Sequence, residues 1–251
     1  MRFKTFKTFD VPLVSPAVSG LYPLRLRMTK ADARGGDFGE EFTAQVRVDA
    51  DAPAISVSWP LPEAYPYGTQ RIEFSAEDAW SGVAELTATL DGAPVTSGEA
   101  LAGLMPGEHT LLVTARDGLG NATTVTRSFT VVNTPGMVMG GGHAGLARKK
   151  ATFGVEVQLA PGAARPVGHL TFQDHALGLT LHSAELKAFG SSEGTATVSG
   201  TCTVNHEPGH TFRLELTDGS TGKGGSIRLV LDTGYRFDAP LEGGNVTLLP
   251  L

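Results

Sequence analysis

The 251-residue chain carries a single cysteine, Cys202, which excludes an internal disulfide and with it the small, disulfide-stapled class of secreted domain. That thiol reads as a small buried apolar side chain on a strand. Long apolar runs are also absent. No stretch approaches the roughly 20 residues that a membrane-spanning helix needs, so no membrane span is expected. Met1-Arg-Phe-Lys-Thr-Phe-Lys-Thr-Phe-Asp10 lacks the continuous apolar core of a secretory signal. Basic charge is scarce: 20 Lys and Arg stand against 26 Asp and Glu, and the net charge of −6 argues against a nucleic-acid partner. Room for long helices is missing as well, because 32 glycines and 15 prolines are spread along the chain. The longest run free of both, Asn121 to Thr134, is rich in Thr and Val. With 41% hydrophobic and 18% charged residues the chain can still build a core, which excludes wholesale disorder.

What the sequence does have is alternation. Ile72, Phe74 and Ala76 alternate with Glu73 and Ser75, and Ala84, Leu86, Ala88 and Leu90 with Glu85, Thr87 and Thr89. Leu111, Val113 and Ala115 repeat the pattern, as do Val125, Phe129 and Val131. A period of two with one apolar face predicts antiparallel strands packed on one side. Asp91-Gly92 is a hairpin signal, and Asp117-Gly118-Leu119-Gly120-Asn121 is a longer turn. Strand segments recurring at about 8–12 residues predict a β-sandwich. An internal repeat is also visible. Gly20-Leu-Tyr-Pro-Leu-Arg-Leu-Arg27, a polar loop to Gly39 and Glu41-Phe-Thr-Ala-Gln-Val-Arg-Val48 lead into Asp49-Ala-Asp-Ala-Pro53. Gly107 to Thr114, the loop Asp117 to Asn121 and Arg127 to Val132 lead likewise into Asn133-Thr-Pro135. The first copy lacks the strands that precede the second. It therefore reads as a partial repeat over 1–50, whose two strands must dock on another module or a second chain, ahead of a sandwich over 51–133. Residues 134–251 read as a separate antiparallel, sandwich-like β-domain.

Residues 52–132 resemble a bacterial immunoglobulin-like repeat of surface proteins. The resemblance is carried by Ala52-Pro-Ala-Ile-Ser-Val57, Ala76-Glu-Asp-Ala-Trp-Ser-Gly-Val83, Leu90-Asp-Gly92, Gly107-Glu-His-Thr-Leu111 and Ala115-Arg-Asp-Gly-Leu-Gly-Asn121. Gly140-Gly-Gly142, Ala151-Thr-Phe-Gly-Val155, Gly168-His-Leu-Thr-Phe-Gln-Asp-His175 and Gly243-Gly-Asn-Val246 resemble a C-terminal β-domain of bacterial surface proteins, the post-COAP type. These resemblances imply an all-β protein with an immunoglobulin-like sandwich followed by a second β-domain. They also imply an extracellular or cell-surface location and a stalk, spacer or adhesion role without catalysis.

Motifs that could carry chemistry lose their structural context. His206-Glu-Pro-Gly-His210 spells the zinc-protease pattern, which needs a helix to set both imidazoles on one face, and Pro208-Gly209 between strands predicts a turn instead. Gly190-Ser-Ser-Glu-Gly194 spells a nucleophile elbow, but a strand follows it rather than a helix. Gly140-Gly-Gly-His-Ala-Gly145 has no helix to hold a pyrophosphate and reads as a flexible leader to the last domain. His169, Asp174, His175 and His182 could meet across a hairpin, although surface histidines on strands are common. No acid–base or nucleophile set survives, so the chain is read as non-catalytic.

The acidic loops are more informative. In an immunoglobulin-like sandwich the incoming chain and the B–C and F–G loops share one end. That plan gathers Asp49 and Asp51 of the linker, Glu77 and Asp78 of the B–C loop, and Asp117 with Asn121 of the F–G loop. Hard oxygen donors in such number suit Ca²⁺, whereas the plainer reading is solvated turn caps. The resemblance implies that a cation rigidifies the linker. The expected partners are other modules of the same or a neighbouring surface protein. The competing expectation is a carbohydrate-binding accessory module of a secreted enzyme, with Trp59, Tyr65, Tyr67 and Trp80 as the aromatic cluster facing a glycan.

Overall fold

A computed structural model describes residues 12–31, 37–145, 150–219 and 225–251. The reading of Met1–Asp10 and part of the loop before Gly39 lie outside those residues. The described chain is all-β and contains no α-helix, and none of it forms a helix long and apolar enough to cross a membrane.

Strands β1 (Gly20–Ala31) and β2 (Asp37–Val48) form an antiparallel ribbon whose register runs from Gly20 opposite Val48 to Ala31 opposite Asp37. The pairing puts Tyr22, Leu24, Leu26, Phe42, Ala44 and Val46 on one face and Arg25, Arg27, Thr43, Gln45 and Arg47 on the other. Among the described residues no third strand joins this ribbon, and Leu26 and Phe42 are about half exposed, at 47% and 50%.

Next, β3 (Ala54–Trp59) pairs with β6 (Glu73–Glu77), and β5 (Thr69–Arg71) with β9 (Ala100–Ala102). A five-stranded sheet runs in the order β4 (Ala64–Pro66), β11 (Ala122–Val132), β10 (Gly107–Asp117), β7 (Val83–Leu90), β8 (Ala93–Pro94). The alternation in the sequence is the alternation of burial: Leu111, Val113 and Ala115 are fully buried, and Phe129 and Val131 nearly so. By compactness the chain divides into two units. Met1–Ser56, Ser75–Ala88 and Val113–Val125 make the first; Val57–Phe74, Thr89–Leu112 and Thr126–Leu251 make the second.

The second unit contains a closed eight-stranded barrel in simple sequence order: β12 (Gly136–Ala144), β13 (Ala151–Leu159), β14 (Val167–Asp174), β15 (Leu179–Ser192), β16 (Thr195–Val204), β17 (Glu207–Thr217), β18 (Ser226–Leu231) and β19 (Arg236–Leu249). This replaces the expected sandwich-like arrangement of residues 134–251. The cause is β19, which is long enough to serve two neighbours. Its Arg236–Pro240 half pairs with β18 and its Leu241–Leu249 half pairs with β12, joining the last strand to the first. Inward positions of eight strands fill a barrel with side chains, here Phe153, Val155, Val157, Phe212, Leu214, Leu216, Ile227 and Leu229 among others. Outward positions carry Glu156, Arg213, Glu215 and Arg228, the reverse of a lipid-facing barrel.

The glycine run 140–145, expected to be a flexible leader, is the end of β12. Its glycines allow close strand approach. A Cβ on Gly140 would stand 2.2 Å from the Asn245 carbonyl oxygen, and one on Gly142 2.1 Å from that of Gly243. Two barrel hairpins turn on two residues with positive φ, Glu193-Gly194 and Asn205-His206, as Asp91-Gly92 does between β7 and β8. This is the twist-matched hairpin turn. The segment His206–His210 is thus non-helical, but the turn, Asn205-His206, lies three residues earlier than Pro208-Gly209. Those two residues fall where the β16–β17 register shifts between Cys202 and Val204, a bulge at which the missing proline N–H costs the ladder nothing.

Candidate metal centre

Three aspartates meet in the first unit. Asp49 follows β2, Asp78 follows β6 and Asp117 ends β10; one carboxylate oxygen from each lies within 4.8 Å of the others. Two oxygens on opposite sides of a Ca²⁺ ion, each at about 2.4 Å, would be separated by about that distance.

Each carboxylate is fixed by donors from its own turn. Asp78 Oδ1 accepts the backbone N–H groups of Trp80, Ser81 and Gly82 at 3.1, 2.8 and 2.7 Å. Asp117 Oδ1 accepts those of Leu119 and Asn121 at 2.9 and 2.8 Å, while Asn121 Nδ2 donates to Asp117 Oδ2 at 2.6 Å. Asp49 Oδ1 accepts from Asp51 N at 3.1 Å and from Ser19 Oγ at 3.2 Å. Its other oxygen, Oδ2, is buried and accepts no hydrogen bond, and the buried Ser81 hydroxyl is equally unpartnered.

These surroundings favour the ionised form of Asp49 and of Asp117. The Ser81 hydroxyl, facing the Asp49 carboxylate short of a formed bond, is the largest influence holding that acid below its ordinary value. Burial and the Asp117 charge push the other way; the Asp51 N–H and Ser19 assist Ser81. Burial pushes Asp117 up, but the Asn121 side chain and the N–H groups of Leu119, Asn121 and Gly120 outweigh it, and the net direction is down. Three carboxylates whose oxygens lie within one coordination diameter repel one another when ionised, and a divalent cation removes that repulsion.

Of the six residues expected from sequence, the structure brings Asp49, Asp78 and Asp117 into contact distance. Asn121 joins as a positioning donor, because its Nδ2 reaches both Asp117 and the Asp49 carbonyl, at 3.3 Å. Asp51 and Glu77 line a neighbouring open cleft of about 370 Å³ with Asp78 and Trp80. Sequence reasoning missed Ser19, Ser81 and Arg47. Ser19 Oγ also accepts the Ala50 and Asp51 N–H groups, and Arg47 donates to the Ala79 carbonyl at 3.2 Å while its guanidinium stands 5.4 Å over the Trp80 ring. Nothing in the spacing of Ser19, thirty residues before Asp49, signals the contact.

The other motifs resolve into structure. Among the described residues no other His, Cys, Asp and Glu group of three converges. Asp174 caps the Ala176 and Leu177 N–H groups and accepts the Tyr235 hydroxyl at 2.8 Å. His175 is hydrogen-bonded to Thr152, and His169 and His182 are exposed. Gly190–Gly194 is a hairpin. Cys202, fully buried in the barrel core, has its thiol pushed up to about 11 by burial, with the Asp232 charge adding to the effect; such a group is inert at neutral pH. Tyr65 and Tyr67 are core residues, 5% and 2% exposed, and Trp59 packs edge-on against Tyr65 at 4.3 Å. Trp80 is half-buried under Arg47.

No protein-family model matches the chain. A search of curated proteins finds similarity to an uncharacterized protein, YvnB, of Bacillus subtilis, at 34% identity over 98 residues. The match covers 38% of this chain and 8% of that protein's length, so the chain spans a small fraction of its relative.

Proposed function

We propose that the chain is a non-catalytic structural module of a bacterial secreted or cell-surface protein, serving as a spacer or adhesion segment. On this reading residues 51–133 form an immunoglobulin-like sandwich, and a Ca²⁺ ion bound by Asp49, Asp78 and Asp117 stiffens the junction between that sandwich and the strands before it. The observation that carries the reading is the convergence of Asp49 with two further carboxylates, together with the buried Asp49 Oδ2 that no donor satisfies. Waters and backbone carbonyls would complete the six to eight oxygens that Ca²⁺ takes.

The test is thermal melting in 2 mM-scale Ca²⁺ against chelator, followed by tryptophan fluorescence; of the two tryptophans, Trp80 donates its backbone N–H to Asp78. Weak extracellular sites dissociate at about 10⁻⁴–10⁻³ M, so the expected stabilisation is about 0.6–1.8 kcal/mol. Asp117→Ala should abolish the Ca²⁺-dependent difference. Asp91→Ala lowers the baseline by removing the 2.7 Å contact with His109 but should leave the difference intact. Identical wild-type curves in both conditions would overturn the calcium reading.

A second reading, a carbohydrate-binding accessory module, draws support from one feature: Trp80 lines the open cleft beside the carboxylates of Asp51 and Glu77. A neutral-glycan array with wild type and Trp80→Ala separates it from the first.

A further inference from the structure

The second unit holds a cleft of about 520 Å³ on the outer wall of the barrel, overhung by Tyr67, Gly103 and Met105. Its floor is one row of the ladder. Ser199 of β16 stands opposite Arg213 of β17, Arg213 opposite Val230 of β18, and Val230 opposite Arg236 of β19. On the other side, Lys187 sits in the β15 bulge between Leu186 and Ala188, next to Ser199. Lys187, Arg213 and Arg236 therefore recur on every second strand, about 10 Å apart at about 4.8 Å per strand.

The charges in this cleft run against those of the whole chain. Four cations, Lys187, Arg213, Arg228 and Arg236, line it against two acids, Glu215 and Asp232. Glu215 is engaged by Arg213 at 2.6 Å and Arg228 at 3.7 Å. Asp232 accepts from Thr211 N and contacts His210 Nδ1 at 3.2 Å. Among the described residues Lys187 and Arg236, at the two ends of the row, have no ion-pair partner. The Tyr67 hydroxyl in the wall is buried and also lacks a hydrogen-bond partner, with Ser199 beside it short of bonding geometry. A concave wall with unbalanced positive charge concentrates anions.

We propose that this cleft binds a segment of acidic polysaccharide lying across the strands, its carboxylates meeting Lys187 and Arg236 and its hydroxyls the polar floor between them. The cation spacing matches a glycan with one negative charge per disaccharide, and the apolar Val230 and Met105 suit the faces of the sugar rings. The inference is independent of the calcium reading, since no residue is shared.

The experiment titrates the full chain with a hyaluronan hexasaccharide, whose first and third carboxylates span about the 19 Å that four strand steps put between Lys187 and Arg236, against chitohexaose, a neutral chain of equal length, by calorimetry at low and at physiological salt. Binding of the acidic probe alone, weakened by salt and reduced at least tenfold in the Lys187→Ala/Arg236→Ala double variant with unchanged melting, is the expected result. Arg25→Ala, which removes an exposed cation of β1 in the first unit, should bind like wild type. No binding of the acidic probe, equal binding of the neutral one, or undiminished binding in the double variant would each overturn the proposal.

Discussion

Replacing Gly142 with alanine should open the barrel. The added Cβ would lie 2.1 Å from the Gly243 carbonyl oxygen and 3.0 Å from the Gly244 Cα, and both neighbours are backbone. No rotamer change relieves such a clash. Reaching even 3.0 Å from that oxygen requires β12 and β19 to separate by about 0.9 Å, the difference between the two distances. That stretch takes ladder hydrogen bonds from about 2.9 Å to about 3.8 Å, beyond bonding range. Two or three lost bonds, each worth about 1 kcal/mol net and more where a group is left buried and unpaired, give an expected loss of about 3–6 kcal/mol. Because this ladder is the one that joins the last strand to the first, the loss falls on barrel closure. Gly118→Ala is the control: its nearest neighbour would be 3.5 Å away, an ordinary contact. Urea unfolding followed by far-UV circular dichroism measures both. A Gly142→Ala cost under about 1 kcal/mol would refute the account of the glycines as spacers for strand approach.

Three further outcomes are expected. Asp49 and Asp117 both sit below their ordinary value of 3.8 in the fold, so the stability they contribute is complete above that value and is lost as pH falls through the lower native one; acid titration of tryptophan fluorescence should show Asp117→Asn flattening this limb below about pH 5. Cys202, with its thiol raised to about 11, should resist a thiol reagent at pH 8-scale conditions in the native chain and react fully in denaturant, and rapid native labelling would contradict its place in the core. Leu214→Ala, at a fully buried position inside the barrel, should cost about 2–5 kcal/mol in the same urea assay.

The strands were legible because their chemistry is local. Period-two burial at Leu111, Val113 and Ala115, and the Asp91-Gly92 turn, follow from residue order alone. Closure of the barrel was not legible: the Gly140–Gly142 run looks unstructured until Gly243 and Gly244, about a hundred residues later, lie against it. The turn at Asn205-His206 was overshadowed by the stronger Pro208-Gly209 signal, whose real work is a bulge. The acidic trio could be anticipated, since fold topology brings linker and loops to one end. Its supports could not, because Ser19 and Ser81 reach Asp49 through tertiary structure that no spacing encodes. Tyr65 and Tyr67 misled in the other direction, as aromatic clustering in sequence does not distinguish a core from a platform.

The pairing of β12 with β19 also decides how the barrel bears load. Met137 lies opposite Leu249, so the chain enters and leaves at one rim, on neighbouring antiparallel strands. Tension applied through both ends bears on that single pair of residues and then on the next, opening the ladder bond by bond like a zipper. In β1 and β2 the geometry is similar, with Gly20 opposite Val48 at one end. In a pulled chain the barrel should yield at low force, releasing more than a hundred residues of slack as a mechanical fuse, and single-molecule extension would register it as an early, long step.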